Sequence, residues 1–176
     1  MFLLEWLETD RLNVGIFTRW PRASFSSTLR HTSIGSEEVL LVAATDALRP
    51  TPDDELSPEL ILQTLRLALT PGFRLLAQER LDLDTLTQQP EPEIDSVHTI
   101  KDLVLRGAAC SVLPFTYVRD DLTNGRVLAT RFKPGLRRDL VAVTRAGGRA
   151  TAGVNAVVNA ARTRMADLMS TRAVGA

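Results

Sequence analysis

PEIDSVHTIKDLVLRGAACSVLPFTYVRDDLTNGRVLATRF, residues Pro92–Phe132, carries the most regular punctuation in the chain. Pro92-Glu93-Ile94-Asp95 reads as a strand, and Ser96 stands where a helix over Val97–Arg106 wants its N-cap, a side-chain oxygen that accepts from an orphan N–H. Gly107 falls one place past that helix, where a left-handed backbone commonly ends it. Ala108–Leu113 is a small-residue strand stopped by Pro114. Phe115–Asn124 is a helix stopped by Gly125, and Val127–Phe132 is a strand. Strand, helix, strand, helix, strand at this spacing predicts right-handed crossovers, a parallel sheet and the α/β class.

Upstream, Phe2, Leu3, Trp6 and Leu7 fall on one helical face, with Glu5, Glu8 and Asp10 on the other. Leu12–Phe17 reads as a buried strand, Thr18–Thr28 as a serine-bearing loop, and Leu29–Ile34 and Val39–Ala44 as two strands parted by Gly35 and Ser36. Pro50, Pro52 and Asp53–Glu55 make a surface loop, a candidate crossing point between lobes. Ser57-Pro58-Glu59 opens a helix through Thr64, with proline in the first turn as helix starts prefer. Leu65–Leu69 is a strand, Thr70-Pro71-Gly72 a turn, Phe73–Leu81 a helix, and Gln88–Pro92 a loop. Downstream of Pro134-Gly135 come a strand at Leu140–Thr144, the Gly147-Gly148 break and an alanine-rich helix over Ala152–Met169.

Composition narrows the function. The chain has 176 residues, 44% of them hydrophobic, enough for one domain or two small lobes with a buried core. Its 21 basic and 21 acidic residues cancel. A chain devoted to gripping phosphate backbone carries a positive excess, so nucleic-acid binding by these residues is not expected. Acids outnumber bases from Glu37 to Lys101, whereas Asp139 and Asp167 are the only acids after Arg126. That asymmetry reads as two differently charged solvated faces, because no long block of like charge marks an interaction tail. A single cysteine, Cys110, permits no intrachain disulfide and fits a reducing compartment. No apolar run reaches the roughly 18 residues that a membrane span needs. The start, Met1-Phe2-Leu3-Leu4-Glu5-Trp6, lacks a basic region and meets an acid early, unlike a secretory signal. A cytoplasmic protein with no membrane association is the expectation.

Groups that could carry out catalysis are sparse. His31 and His98 have no cysteine or second histidine at a metal-ligand spacing. Cys110 lies in Ala-Ala-Cys-Ser-Val-Leu, where a thiol behaves as a small hydrophobe. Gly147-Gly148-Arg149 lacks the phosphate-loop and dinucleotide patterns. The chain is therefore not expected to be an enzyme, and no cofactor or metal is expected. Two turns are better suited to binding. At Thr70-Pro71-Gly72-Phe73 a strand gives way to a helix, where free N–H groups favour anions. Gly72 lets a ligand approach the backbone, Thr70 offers a hydroxyl and Phe73 an apolar wall; an ordinary capped turn accounts for the same residues. At Asp95-Ser96-Val97 the pattern repeats, with Ser96 readable as a plain N-cap.

The run Glu93–Gly107, continuing to Ala109-Cys110-Ser111-Val112-Leu113-Pro114, resembles the effector-binding domain of LysR-type regulators: an acid, a serine, a helix ending in glycine, and a strand ending Leu-Pro. The short helix, glycine and strand through Asp120–Leu128 continue the likeness. Leu3-Leu4-Glu5-Trp6-Leu7 followed by Leu12-Asn13-Val14-Gly15-Ile16 is similar to the family's helix and Asp-initiated strand, with Asn13 where aspartate is usual. Glu38–Val42 matches the strand before its crossover.

The resemblance implies a fold like the type 2 periplasmic binding proteins, two Rossmann-like α/β lobes with a ligand cleft between them. Residues 1–45 and 133–176 would form the first lobe and 46–132 the second. The family's DNA-binding domain and the opening segment of its first lobe have no counterpart here, so the first lobe is expected to be incomplete and DNA to be reached only through a domain outside these residues. A small organic effector, a carboxylate or aromatic acid, would be held by Thr18, Thr70, Pro71, Gly72, Phe73, Ser96 and Val97. The partners implied are a homo-oligomer or full-length regulator subunits. Two alternatives stay open: a shortened, non-sensing subunit that acts through association with a full-length regulator, and a solute-binding protein of the same fold.

Overall fold

The structure, a computed structural model, describes residues 2–19, 26–48, 56–80, 94–148 and 151–170. Its elements in chain order are α1 (Phe2–Glu8), β1 (Gly15–Arg19), β2 (Leu29–Ala44), α2 (Pro58–Thr64), β3 (Leu67–Ala68), α3 (Pro71–Arg80), α4 (Val97–Leu105), β4 (Cys110–Pro114), α5 (Phe115–Thr123), β5 (Val127–Thr130), β6 (Leu136–Arg145) and α6 (Ala152–Ser170). They divide into two compact units, one of residues 1–37 with 138–176 and one of 38–137. The chain thus passes between units within β2 and again at the start of β6.

The second unit is built on a sheet in the order β5, β2, β4, β3. β3 runs parallel to β4, pairing Leu67 with Cys110 and Ala68 with Ser111. β2 is antiparallel to both β4 and β5. The helical crossovers therefore link parallel strands as expected, but the sheet is mixed, because β2 inserts between β4 and β5. Every residue of β2 from Glu37 to Ala44 is buried, the continuous pattern of a strand covered on both faces. Leu40, Val42, Ile100, Val104, Leu113, Val118 and Val127 form the core beneath α4 and α5. The backbone chemistry follows the sequence closely here. Ser57 and Ser96 accept from Leu60 N and Thr99 N at 3.2 and 3.3 Å, capping α2 and α4. Gly107 takes φ +70° past the end of α4, and the backbones of Gly107 and Ala108 donate back to Val104 and Leu103. An L-residue would be strained at that φ.

Asp121, buried on α5, is held by Lys101 of α4 at 2.6 Å and by Arg126 in the α5–β5 turn at 3.0 Å. A buried carboxylate needs such partners to offset its lost hydration.

In the first unit β1 pairs antiparallel with β6, from Gly15 opposite Val143 to Arg19 opposite Asp139, and β6 lies next to β2. Alternation sorts the faces. Val141 and Val143 pack with Leu7, Leu29 and Phe17 beneath α1. Ala142 and Leu140 pack with Ile34 and Met165 beneath α6.

Several expectations need correction. Leu29–Ile34 and Val39–Ala44 are one strand, not two. Gly35 is not a break: a Cβ there would stand 2.8 Å from Met165 Cγ, so the glycine admits α6. The buried face of α1 is Leu4 and Leu7 rather than the stripe read from the sequence, since Leu3 and Trp6 are 51% and 38% exposed. Arg11 lies over the Trp6 ring at 5.3 Å instead. Thr18 belongs to β1, not to the loop after it. Ile94 and Asp95 are not in a strand, and Pro92 and Glu93 lie outside the described residues, as do the expected loops at Pro50–Glu55 and Gln88–Pro92.

Candidate functional site

The site expected in the second unit begins where β3 ends. Thr70 follows directly on that strand, and its Oγ1 accepts from Phe73 N at 3.3 Å, which makes it the N-cap of α3. Pro71 occupies the first helical position, where its missing N–H costs no bond. Thr70 and Phe73 are buried, Phe73 to 2% exposure, while Pro71 and Gly72 are half-buried. Phe73 is thus a core side chain first.

Ser96 is exposed and Val97 half-buried at the start of α4. Helix α4 turns back through Gly107 into β4, so its N-terminus lies at the carboxyl end of β4. The packing agrees: Ile94 and Val97 sit against the cluster that contains Leu113, with Phe115 beside it. β3 and β4 are parallel neighbours. The structure therefore brings Thr70–Phe73 and Ser96–Val97 to one end of one sheet.

A third helix start, read from the sequence at Phe115 but not counted with the site, lies at that end. Helix α5 begins at Phe115 immediately after β4, with Pro114 as its N-cap residue and no side-chain cap. Leu113-Pro114-Phe115 gives both the strand stop and the helix start, but nothing in it says which end of the sheet the other two helix starts share. Three helices, α3, α4 and α5, point their N-terminal N–H groups at this end of the sheet, and each contributes partial positive charge there. Both cap hydroxyls spend a lone pair on a backbone N–H, which leaves O–H groups able to donate. The chemistry suited to such a place is an oxygen acceptor, anionic or carbonyl. Ser111 Oγ lies nearby but donates to Ala68 O at 2.6 Å, locking β4 to β3.

Thr18, the remaining predicted contact, lies in the first unit on β1 and is half-buried. Arg138 Nη1 approaches its hydroxyl at 3.5 Å, while Arg138 Nε and Nη2 donate to Glu37 Oε1 at 2.7 and 2.5 Å. Glu37 is wholly buried. Nothing in the sequence marked this pair, whose members lie 101 positions apart.

Elsewhere the chemistry-bearing residues have structural surroundings. Cys110 is buried, its Sγ lying 3.5 Å from Arg66 O. His31 and His98 are exposed, and the His98 ring tilts against Tyr117 at 6.2 Å. Among the described residues no group of three His, Cys, Asp or Glu side chains is placed to hold a metal ion, and no helix is long and apolar enough to cross a membrane. Gly147 and Gly148 form the turn after β6, and Arg149 lies outside the described residues.

The chain matches the family model of the LysR substrate binding domain over residues 2–166. No curated protein matches it. Among solved structures, the reduced OxyR regulatory domain of Pseudomonas aeruginosa is 23% identical with a TM-score of 0.71, covering 92% of this chain and 78% of that one. The MetR regulatory domain of N. meningitidis, a LysR family regulator, is 18% identical with a TM-score of 0.66, covering 92% and 74%. Oxidized OxyR of Corynebacterium glutamicum is 15% identical with a TM-score of 0.68; the match covers 98% of this chain but 54% of that one. The chain thus spans about three quarters of the regulatory domains and about half of the longer chain. At these identities the likeness is one of fold.

Proposed function

This chain belongs to the LysR substrate-binding domain family, and from that premise we propose that it senses a small organic acid and passes its occupancy on as a change in how regulator subunits assemble. The effector is a carboxylate, aliphatic or aromatic, held at the carboxyl end of β3 and β4. DNA contact belongs to another part of the regulator. The observation that carries the reading is the convergence of the α3, α4 and α5 N-termini beside Thr70 and Ser96. Helix N-termini favour negative charge, and the capped hydroxyls add donors. Neither catalysis nor metal chemistry enters this reading. Although the structural neighbours include an oxidized and a reduced OxyR, a cysteine pair within this chain is not available: Cys110 is its single cysteine and is buried.

The test is a melting series with a panel of small aliphatic and aromatic carboxylates. A true effector at a hundredfold excess over its Kd raises stability by about 2.7 kcal/mol. Thr70→Val and Ser96→Ala should weaken that response more than they lower the melting temperature of the unliganded chain. If the folded chain ignores every acid, the sensing role fails.

A second reading has its own support. β1 is the end strand of the sheet order, and Ile16 on it is 48% exposed, as are Leu3 and Trp6 of α1 in part. An edge with no neighbouring strand among the described residues, and apolar residues nearby, invites another chain. In this reading the protein is a non-sensing subunit that associates with a full-length regulator. Co-expression with a full-length LysR-type regulator distinguishes the two: a stable mixed assembly that ignores the carboxylates supports the second.

A further inference from the structure

Helices α4 and α5 lie side by side with their starts at one end of the second unit, and two rungs join them. On α4, His98 and Lys101 are three residues apart and share a face; on α5, Tyr117 and Asp121 are four apart and share one. The His98 ring tilts against the Tyr117 ring at 6.2 Å. One turn further from the helix starts, Lys101 Nζ donates to Tyr117 O at 2.8 Å and meets Asp121 Oδ2 at 2.6 Å. Arg126, in the turn after α5, holds the other Asp121 oxygen at 3.0 Å. Ile100 and Val104 of α4 meet Val118 of α5 in the core cluster.

The three helix starts at this end are not equally secured. Thr70 caps α3 and Ser96 caps α4, whereas α5 has no side-chain cap. Its first turn is reached instead from α4, through the carbonyl of Tyr117, its third residue. Lysine suits that task, and Lys101 is one of only two lysines among 21 basic residues. An ammonium can donate to a carbonyl and a carboxylate in different directions, whereas the planar arginine fork matches one carboxylate. Asp121, its side chain 7% exposed, is the anchor; a covered carboxylate keeps its cations close. Neighbouring helix starts also carry like partial charges, so a tie between the helices works against a repulsion.

We propose that Lys101 is a positioning residue: from α4 it fixes the first turn of α5, and so sets where the N–H groups of Phe115, Thr116 and Tyr117 point. That those N–H groups meet an effector oxygen rests on the sensing role proposed above; the tie between the helices does not.

Amide hydrogen exchange on the 176-residue chain tests the tie. Lys101→Met keeps the apolar stem and removes the ammonium. Exchange at Val118, Arg119 and Asp120 should rise about tenfold, with Cys110–Leu113 unchanged. Lys101→Arg restores the charge and should recover part of the protection. An arginine variant no better protected than the methionine one would overturn the proposal, because the loss would then lie in packing. So would an equal rise throughout the second unit, which makes Lys101 a general stabiliser. Should Lys101→Met fail to fold, Asp121→Asn is expected to show the same local rise.

Titration with acetate and with benzoate reads the site itself. The amide resonances of Phe115–Tyr117 should need about threefold more acid to shift in Lys101→Met than in the wild type. Equal titration of the two proteins would overturn the positioning role. A wild type that ignores both acids counts against sensing, while the exchange comparison still decides the tie.

Discussion

The two units solve the same packing problem with unequal means. In the second, one cluster joins three strands and two helices, and the central strand is covered on both faces. In the first, α1 and α6 each cover one face of a sheet through a small cluster, and Met165 is the one buried residue of the nineteen in α6. Helices gain most of their stability from the apolar face they bury, so a 19-residue helix with so narrow a seam depends on few contacts. The difference locates firmness in the unit that carries the convergent helix starts, which suits the ligand-holding role proposed for them.

The largest expected effect tests that contrast directly. Leu113→Ala removes a fully buried side chain from the centre of the second unit and should cost about 3–5 kcal/mol in urea unfolding. Met165→Ala, at the thin seam of α6, should cost about 2 kcal/mol and should expose α6 amides to exchange before the second unit opens. If α6 stays protected until global unfolding, the contrast is wrong. A smaller effect is expected at Asp121. Asp121→Asn keeps the shape but removes the charge that Lys101 and Arg126 share; because both bases are partly exposed, about 1–1.5 kcal/mol is expected, shrinking in high salt. Smallest of all, Trp6→Ala should change stability by less than about 1 kcal/mol, because the ring is exposed, lies outside the cluster beneath α1 and is met by the Arg11 guanidinium. A loss of several kcal/mol there would restore Trp6 to the core.

The local signals were legible where backbone chemistry alone decides. Ser57-Pro58 and Ser96 cap helices, and Gly107 ends one, because those demands are met within four residues of chain. Reading failed where a distant element decides. Gly35 looks like a turn residue until α6 comes to lie against it. Trp6 looks like core until the sheet beneath α1 turns out to meet Leu4 and Leu7. The inserted β2 makes the sheet mixed, and nothing in the regular strand–helix spacing from Ser96 onward announces an antiparallel neighbour contributed from residues 39–44. At the candidate site the cap hydroxyls and the helix start at Phe115 were visible, but that the three helix starts share one end needed the parallel pairing of β3 with β4. The Glu37–Arg138 pair needed both passages of the chain to be in place.

Cys110 offers a practical consequence. It is the chain's single thiol, fully covered in a strand that has β2 on one side and β3 on the other. An alkylating reagent can therefore reach it only when that strand comes free, so the rate of labelling is a clock for such openings. The clock is already wired into the native sequence, and any compound that tightens the surrounding sheet should slow it.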